Sequence, residues 1–498
     1  MARAEILIPP PFPFQDRVQP GDRFVLIRFV SSQPKSRQRH PVVRNDRSKR
    51  SCYNSAFPTM AHILPFRAWR YDQQRVPIHS VVTQPYDKIS LAMQEAYYQE
   101  SPNNLVRLIL GKSLPWDGDA ENVYTRAAST FQEWRQSGIL RMDAEPSIYR
   151  YTQSFAIPAG VSGHPARAER KGFIALGRLE DYSAEVIFRH EQTLSKPKAD
   201  RLELLRATRA QLEQIFMLYG GGGKIEALLE TSGQPDIEVT DEYKTLHRVW
   251  KISDPKIIAS LQQAMREKKL LIADGHHRYE TAIAYRKERR SGEETASGSG
   301  HLLPYESTMM TFVDMDLPGL VILPTHRIVF GLPSFSDGQF EADAQKFFTV
   351  EKVDTGIDAA GANMLLRQAG GSGTALLAVT SSHSYLLRDP KVGVAGLLAN
   401  LSTRQQELDV VQLHKCILER VLNISEEAIR NQENVAYTRE MDDALAQVRS
   451  GKAQIAFLMN PARMDQVRDI AFAGEVLPQK STDFYPKLLS GLTIYAWE

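Results

Sequence analysis

The chain has 498 residues, and its 61 Lys and Arg against 59 Asp and Glu leave a formal charge of +2, which argues against whole-body capture of nucleic acid or acidic lipid. A hydrophobic fraction of 42% with 24% charged residues excludes collagen, coiled coil and wholesale disorder, and the length suggests two to four domains. Two cysteines, Cys52 and Cys416, are too few for a disulfide framework or an all-cysteine metal site, so the reducing cytoplasm is the expected compartment. No apolar run reaches the roughly 20 residues of a membrane span. Pro9, Pro10, Pro11 and Pro13 break the only candidate leader.

Residues 1–59 carry eleven Lys and Arg against four Asp and Glu, with a Pro-rich start and a polar tract from Ser31 to Arg50. Such a segment can hardly bury a core, so a disordered basic extension is expected, with folding intact after its deletion. Beyond Met60, apolar runs alternate with helical periodicity, which predicts a mixed α/β fold of at least two lobes. Helices are predicted over 91–99, 122–137, 200–214, 254–268, 279–290 and 405–421. Strands are predicted over 172–178, 270–273, 307–313, 374–380 and 454–459. The glycine run Gly220 to Gly223, the segment 291–300 and the neighbourhood of 361–373 read as connections, although four glycines could also admit a ligand to the backbone. The expected organisation is an α/β domain over 60–250, a phosphate-binding core over 251–330, and an α/β region over 331–498 packed on that core.

The sequence from Lys269 to Ala282 is the most informative. A short apolar strand ends at Ala273, Asp274-Gly275 makes a turn, and helical sequence starts near His277. Such a helix start offers unpaired N–H groups and the positive end of the helix dipole, a setting for phosphate. Arg278 supplies a planar fork, Gly275 permits close backbone approach, and His276 and His277 add donors. Asp274 is either a magnesium ligand or a helix cap. A second polar cluster, 188–201, offers His190 and Glu191 for proton transfer, with Lys198 and Arg201 to neutralise phosphate oxygens. A solvated, capped helix start is the alternative there. Gln84 to Lys88 and Ser101 to Arg107 could be ligand loops but read more readily as helix punctuation, whereas Leu477 to Lys487 could be a functional loop.

These stretches also carry a resemblance. Pro65-Phe66-Arg67-Ala68, Pro85-Tyr86-Asp87, His190-Glu191-Gln192-Thr193, Lys198-Ala199-Asp200-Arg201, Asp274-Gly275-His276-His277-Arg278 and Pro478-Gln479-Lys480-Ser481-Thr482 follow one another as in a widespread bacterial family. That family is known only as domain of unknown function one thousand and fifteen. Asp274 to Arg278 alone resembles the nucleotide-binding signature of the ParB and sulfiredoxin superfamily, which includes free serine kinases. That second resemblance implies a ParB-like core around 254–330, with Gly275, His276, His277 and Arg278 against phosphate and Asp274 near the metal or the acceptor. No cysteine stands in this segment, so sulfiredoxin chemistry, which needs one there, is not implied.

Together these readings predict a phosphoryl-transfer or phosphate-ester-hydrolysing enzyme, with His190, Glu191 and Asp274 catalytic. Its partners would be ATP or ADP with Mg2+, or a small phosphorylated metabolite such as phosphoserine, and no nucleic acid. A non-catalytic nucleotide-binding regulator is the alternative. Catalysis further requires Arg278 and the His190-Glu191 pair to face one cleft.

Overall fold

A computed structural model describes residues 60–158, 165–191, 195–230, 232–292, 302–371 and 373–497, so the basic extension over 1–59 lies outside the described residues. Two principal sheets organise the rest, confirming a mixed α/β fold. The first contains β1 (Ile63–Leu64), β2 (Ile148–Ala156), β3 (Arg167–Arg178), β4 (Ile187–Phe188), β5 (Ile215–Tyr219), β6 (Ile237–Thr240), β7 (Leu246–Ile252), β8 (Leu270–Asp274) and β9 (Ser307–Asp314). Their order is β4-β8-β5-β9-β3-β2-β7-β6, with β1 added to β3. β8 runs parallel to β4 and antiparallel to β5, and β9 runs parallel to β5 and antiparallel to β3. The expected core over 251–330 is therefore not separate from 60–250, because β8 and β9 are inner strands of the same sheet.

Alternation along the strands explains why this sheet is buried on both faces. Phe173, Ala175, Met217, Leu270, Ile272 and Phe312 enter one apolar cluster with Ile258, Leu261 and Met265 of helix α2 (Pro255–Met265) and Tyr279 and Ala282 of helix α3 (His276–Gly292). Ile174, Leu176, Leu218, Leu271 and Met309 face the opposite way into a larger core. That core also receives Leu376, Ala378, Phe457 and Met459 from the second sheet. Helix α1 (Ser195–Thr208) lies beside α3, where the Lys198 carbonyl accepts from the Thr281 hydroxyl at 3.4 Å.

The second sheet is antiparallel throughout, ordered β11-β13-β12-β15-β10-β14. Its strands are β10 (His326–Val329), β11 (Thr349–Val353), β12 (Ala375–Thr380), β13 (Ser384–Arg388), β14 (Val435–Thr438) and β15 (Ile455–Met459). The chain end then returns to earlier segments. Asp483–Tyr485 pairs with Val321–Leu323, and Tyr495–Ala496 pairs with Ala210–Gln211.

Several sequence-based expectations change. The helix expected to reach residue 214 stops at Thr208, because Arg209 turns left-handed (φ +48°) and Ala210–Gln211 is taken up by the returning chain end. The helix expected over 405–421 is broken at Leu408, whose extended backbone separates Thr403–Gln406 from Asp409–Gln412 and the π-helical Leu413–Val421. The glycine-containing neighbourhood of 361–373 is mostly helix, Ala359–Gly370, because Asp358 caps it through the Gly361 N–H and Ala362 and Leu366 are buried one turn apart. Gly220 to Gly223 is the connection expected, between Ile215–Tyr219 and Lys224–Leu228, and most of its N–H groups are engaged within the chain. The N–H groups of Gly221 and Gly223 donate to the Asp314 carboxylate at 3.0 and 2.9 Å, and Gly221 and Gly222 donate to Asp316.

Candidate functional site

The predicted strand, turn and helix are present around Asp274. β8 is apolar through Ala273, and its two faces serve the two cores described above. Gly275 turns the chain at φ +94°, a conformation that favours glycine, and a Cβ there would lie 3.1 Å from Arg278 Nε, so the Arg278 side chain would have to give way. α3 begins at once with His276, and the Tyr279 N–H donates to the Gly275 carbonyl at 2.9 Å. Tyr279, Ala282 and Arg286 form the buried stripe, leaving the first turn to polar groups. His276 is 8% exposed, and its Nε2 has no hydrogen-bond partner.

Charges gathered from distant stretches surround this helix start. Asp274 Oδ2 lies 3.6 Å from Arg278 Nη2 and 3.8 Å from Lys487 Nζ. Burial opposes ionisation of Asp274, but Lys487, Arg278 and Lys88 prevail and hold its carboxyl well below the usual range. Lys487 also pairs with Asp483 at 2.8 Å, and Lys88 reaches the same carboxylate at 3.4 Å. Asp483 is correspondingly held down to about 2, burial again being outweighed by the two lysines. On the other side the Arg278 guanidinium donates to the Gln214 carbonyl and feels the field of Glu213. Glu213 accepts from the Tyr86 N–H at 2.9 Å, and burial pushes its carboxyl up.

The His190-Glu191 pair follows the end of β4. His190 is fully buried, with Nδ1 2.8 Å from the Ile272 carbonyl and Nε2 2.7 Å from Thr482 Oγ1. Burial lowers its pKa to about 4, so it is neutral at pH 7. A carbonyl can only accept; Nδ1 therefore carries the proton, and Nε2 accepts from the Thr482 hydroxyl. Both ring nitrogens are thus occupied, and the ring packs edge-on against His276 with centroids 4.8 Å apart. Glu191 is half-buried, accepts from the Lys480 N–H at 3.0 Å, and is pushed up by burial. His277 is also half-buried, and burial lowers its pKa against the opposing charges of Glu191 and Asp87.

Lys198 and Arg201 lie on α1 in ion pairs of their own. Lys198 Nζ is 2.9 Å from Glu280, which also receives Arg189 at 3.3 Å. Arg201 bonds Asp200 at 2.6 Å and the Ile109 carbonyl at 2.7 Å, stands 3.9 Å from Glu213, and stacks on Tyr86 at 4.2 Å. Among the described residues no three metal-ligating side chains cluster. Asp274, the expected magnesium ligand, has two cations beside it, which does not fit a metal-binding carboxylate.

Sequence reading missed Glu213, Arg170 and Arg327, together with the part played by Lys487. The last three belong to one device. Arg170 on β3 is buried and donates to Gln153 Oε1, to the Tyr485 carbonyl at 3.3 Å and to the Pro486 carbonyl at 2.5 Å. Gln153 Nε2 in turn donates to the Lys487 carbonyl at 2.8 Å. Arg327 on β10, equally buried, donates to the Lys480 carbonyl at 3.1 Å and the Gln479 carbonyl at 3.5 Å. Two arginines, one from each sheet, thus hold the strap from Gln479 to Lys487 that supplies Thr482, Asp483 and Lys487. In the sequence the strap showed only as a polar aperiodic loop and as the Pro478 to Thr482 motif of the family resemblance.

A family model described as protein of unknown function (DUF1015) matches residues 63–411, most of the chain, and the chain belongs to that family. The match ends before the strap. No curated protein matches in sequence. Among solved structures, a conserved hypothetical protein from Pyrococcus furiosus is 12% identical with a TM-score of 0.31, over 61% of this chain and 89% of that one. A free serine kinase in complex with AMP is 14% identical, TM-score 0.31, over 60% and 83%. SbnI from Staphylococcus aureus, truncated at its C-terminus, is 10% identical, TM-score 0.30, over 64% and 85%. Likenesses this slight carry no argument about function.

Proposed function

We propose that this protein is an enzyme of phosphoryl transfer or phosphate-ester hydrolysis, taking ATP, ADP or a small phosphorylated metabolite at the start of α3. One observation carries the reading. Tyr86 to Lys88, His190-Glu191, Glu213, Asp274 to Arg278 and the strap, separated by up to four hundred residues, are linked by direct contacts around one helix start. The buried, unpartnered His276 Nε2 in that first turn is a donor or acceptor without an assignment inside the protein. Phosphate would lie on the N–H groups of the first turn, with Arg278, Lys487 and Lys88 supplying positive charge.

Glu191 is the base in this scheme. Its carboxyl has a raised affinity for a proton, and the Lys480 N–H fixes its orientation. His190, with both nitrogens engaged, positions β8 against the strap. Serine is the acceptor to try first, on the resemblance of Asp274 to Arg278 to the superfamily that contains free serine kinases.

The test is calorimetric titration of the full chain with ATP and ADP, with and without magnesium, and phosphorus NMR of ATP with serine. Arg278→Ala should weaken binding roughly tenfold or more. Glu191→Gln should keep binding and abolish turnover. Nucleotide affinity unchanged by Arg278→Ala would overturn the assignment. The occupied ring of His190 favours a second reading, a nucleotide-binding regulator, which predicts binding with no reaction in either form.

A further inference from the structure

A cavity of about 1570 Å3, whose lining includes no residue of α3, lies at the end of the second sheet where β10 and β12 begin and β14 and β15 end. Metabolite pockets commonly measure roughly 300–1,000 Å3, so a small molecule fits with room to spare. Its walls include Arg327, Gln412, Ser481 and Asp409. Of the other cations on its lining, Arg439 pairs with Glu440 at 2.9 Å and Arg463 with Asp465 at 3.2 Å, while the exposed Arg367 and Lys391 donate to the carbonyls of Asn363 and Gln345.

Arg327 differs from them. It is 1% exposed, its acceptors are the carbonyls of Thr325, Gln479 and Lys480 and the Met459 sulfur, and its Nε has no partner. The field of Glu191 reaches it from beyond ion-pair distance. A buried guanidinium facing only neutral acceptors and the Tyr437 ring, 5.4 Å from its centroid, has no carboxylate to balance it, and an anion in the adjoining cavity would offset the cost of burying it. Gln412, 4% exposed, adds a matching deficit. Its Nε2 donates to the Gln406 carbonyl at 2.9 Å, while its Oε1 meets no donor.

We infer that this cavity is a second ligand site, for a small organic oxyanion that also carries a hydroxyl or amine donor, with Arg327 countering the charge and Gln412 accepting the donor. Because Arg327 also holds the Gln479 and Lys480 carbonyls, an anion here would act on the strap that bonds His190 and Glu191. The inference rests on the cavity and not on the chemistry proposed at α3.

Titration calorimetry on the full chain would use malate as the carboxylate arm, glycerol 3-phosphate as the phosphate arm, and glycerol as the neutral control. At least one anion should bind saturably and glycerol should not. Gln412→Glu, which places a carboxylate in the wall, and Arg327→Gln should each weaken that binding roughly tenfold or more. Arg278→Ala should leave it unchanged, which separates this site from the one at α3. Should Arg327→Gln fail to fold, Gln412→Glu carries the test alone. Absence of binding by both anions, or binding that is indifferent to Gln412→Glu, overturns the inference.

Discussion

The two sheets bury one arginine each, and the two are satisfied to different degrees. Arg170 on β3 spends all three guanidinium nitrogens on Gln153 and the carbonyls of Tyr485 and Pro486, and stacks over Phe216 at 4.7 Å. Arg327 on β10 holds carbonyls of the same strap yet keeps an unpartnered Nε beside a large cavity. Burial lowers both to about 10, so both remain cations at pH 7. The difference teaches that the same residue type, buried to the same extent, is a completed clamp where its donors are matched and an open electrostatic deficit where they are not.

That contrast can be broken by substitution. Arg170→Met strands several buried acceptors and should cost roughly 2–4 kcal/mol in urea unfolding, with Lys487 losing its placement. Arg327→Met should cost less, about 1–2 kcal/mol, because part of its hydrogen bonding is already absent. Equal losses would remove the distinction.

Acid should test the buried imidazoles of both sheets. The unfolded chain takes up protons near pH 6.5, whereas folded His190 resists until about 4 and folded His326 until about 3, each because of burial. The unfolded state therefore binds more protons between these limits. Stability is full above that window and falls as the pH drops through it, by up to about 1.4 kcal/mol per pH unit per histidine. Comparing denaturant unfolding at pH 6.5 and pH 5, His190→Gln should lose less stability than the wild type. An unchanged slope would show that His190 is not held neutral.

Two smaller effects sharpen the first-sheet side. Gly275→Ala forces a Cβ into a left-handed turn against Arg278 and should cost about 1–2 kcal/mol, with weakened phosphate-ligand binding in the same calorimetric assay. Thr482→Val removes the hydroxyl that His190 Nε2 accepts from and should cost roughly 0.5–1.5 kcal/mol by thermal unfolding. If Gly275→Ala left both stability and binding intact, the turn would not be part of a built site.

Local order was legible where one face or one cap decides it. The apolar run before Asp274, the turn at Gly275 and the stripe of Tyr279 and Ala282 foretold a strand entering a helix, because those signals act over a few residues. The break at Leu408 and the end of α1 at Thr208 were not legible, since the first is an interruption in an otherwise helical pattern and the second depends on a strand arriving from residue 495.

By itself the sequence determined the α/β class, the strand, turn and helix at Asp274, and the polar stretches from which a site could be assembled. Only the tertiary structure decided which of these meet. It set Lys487 against Asp274, gave both nitrogens of His190 to Ile272 and Thr482, sent Lys198 to Glu280, and placed Arg170 and Arg327 under the strap. The reason is physical. Propensity, capping and periodicity are fixed by neighbours along the chain, whereas the partner of a buried charge is fixed by whichever distant carbonyl or carboxylate the fold brings to it.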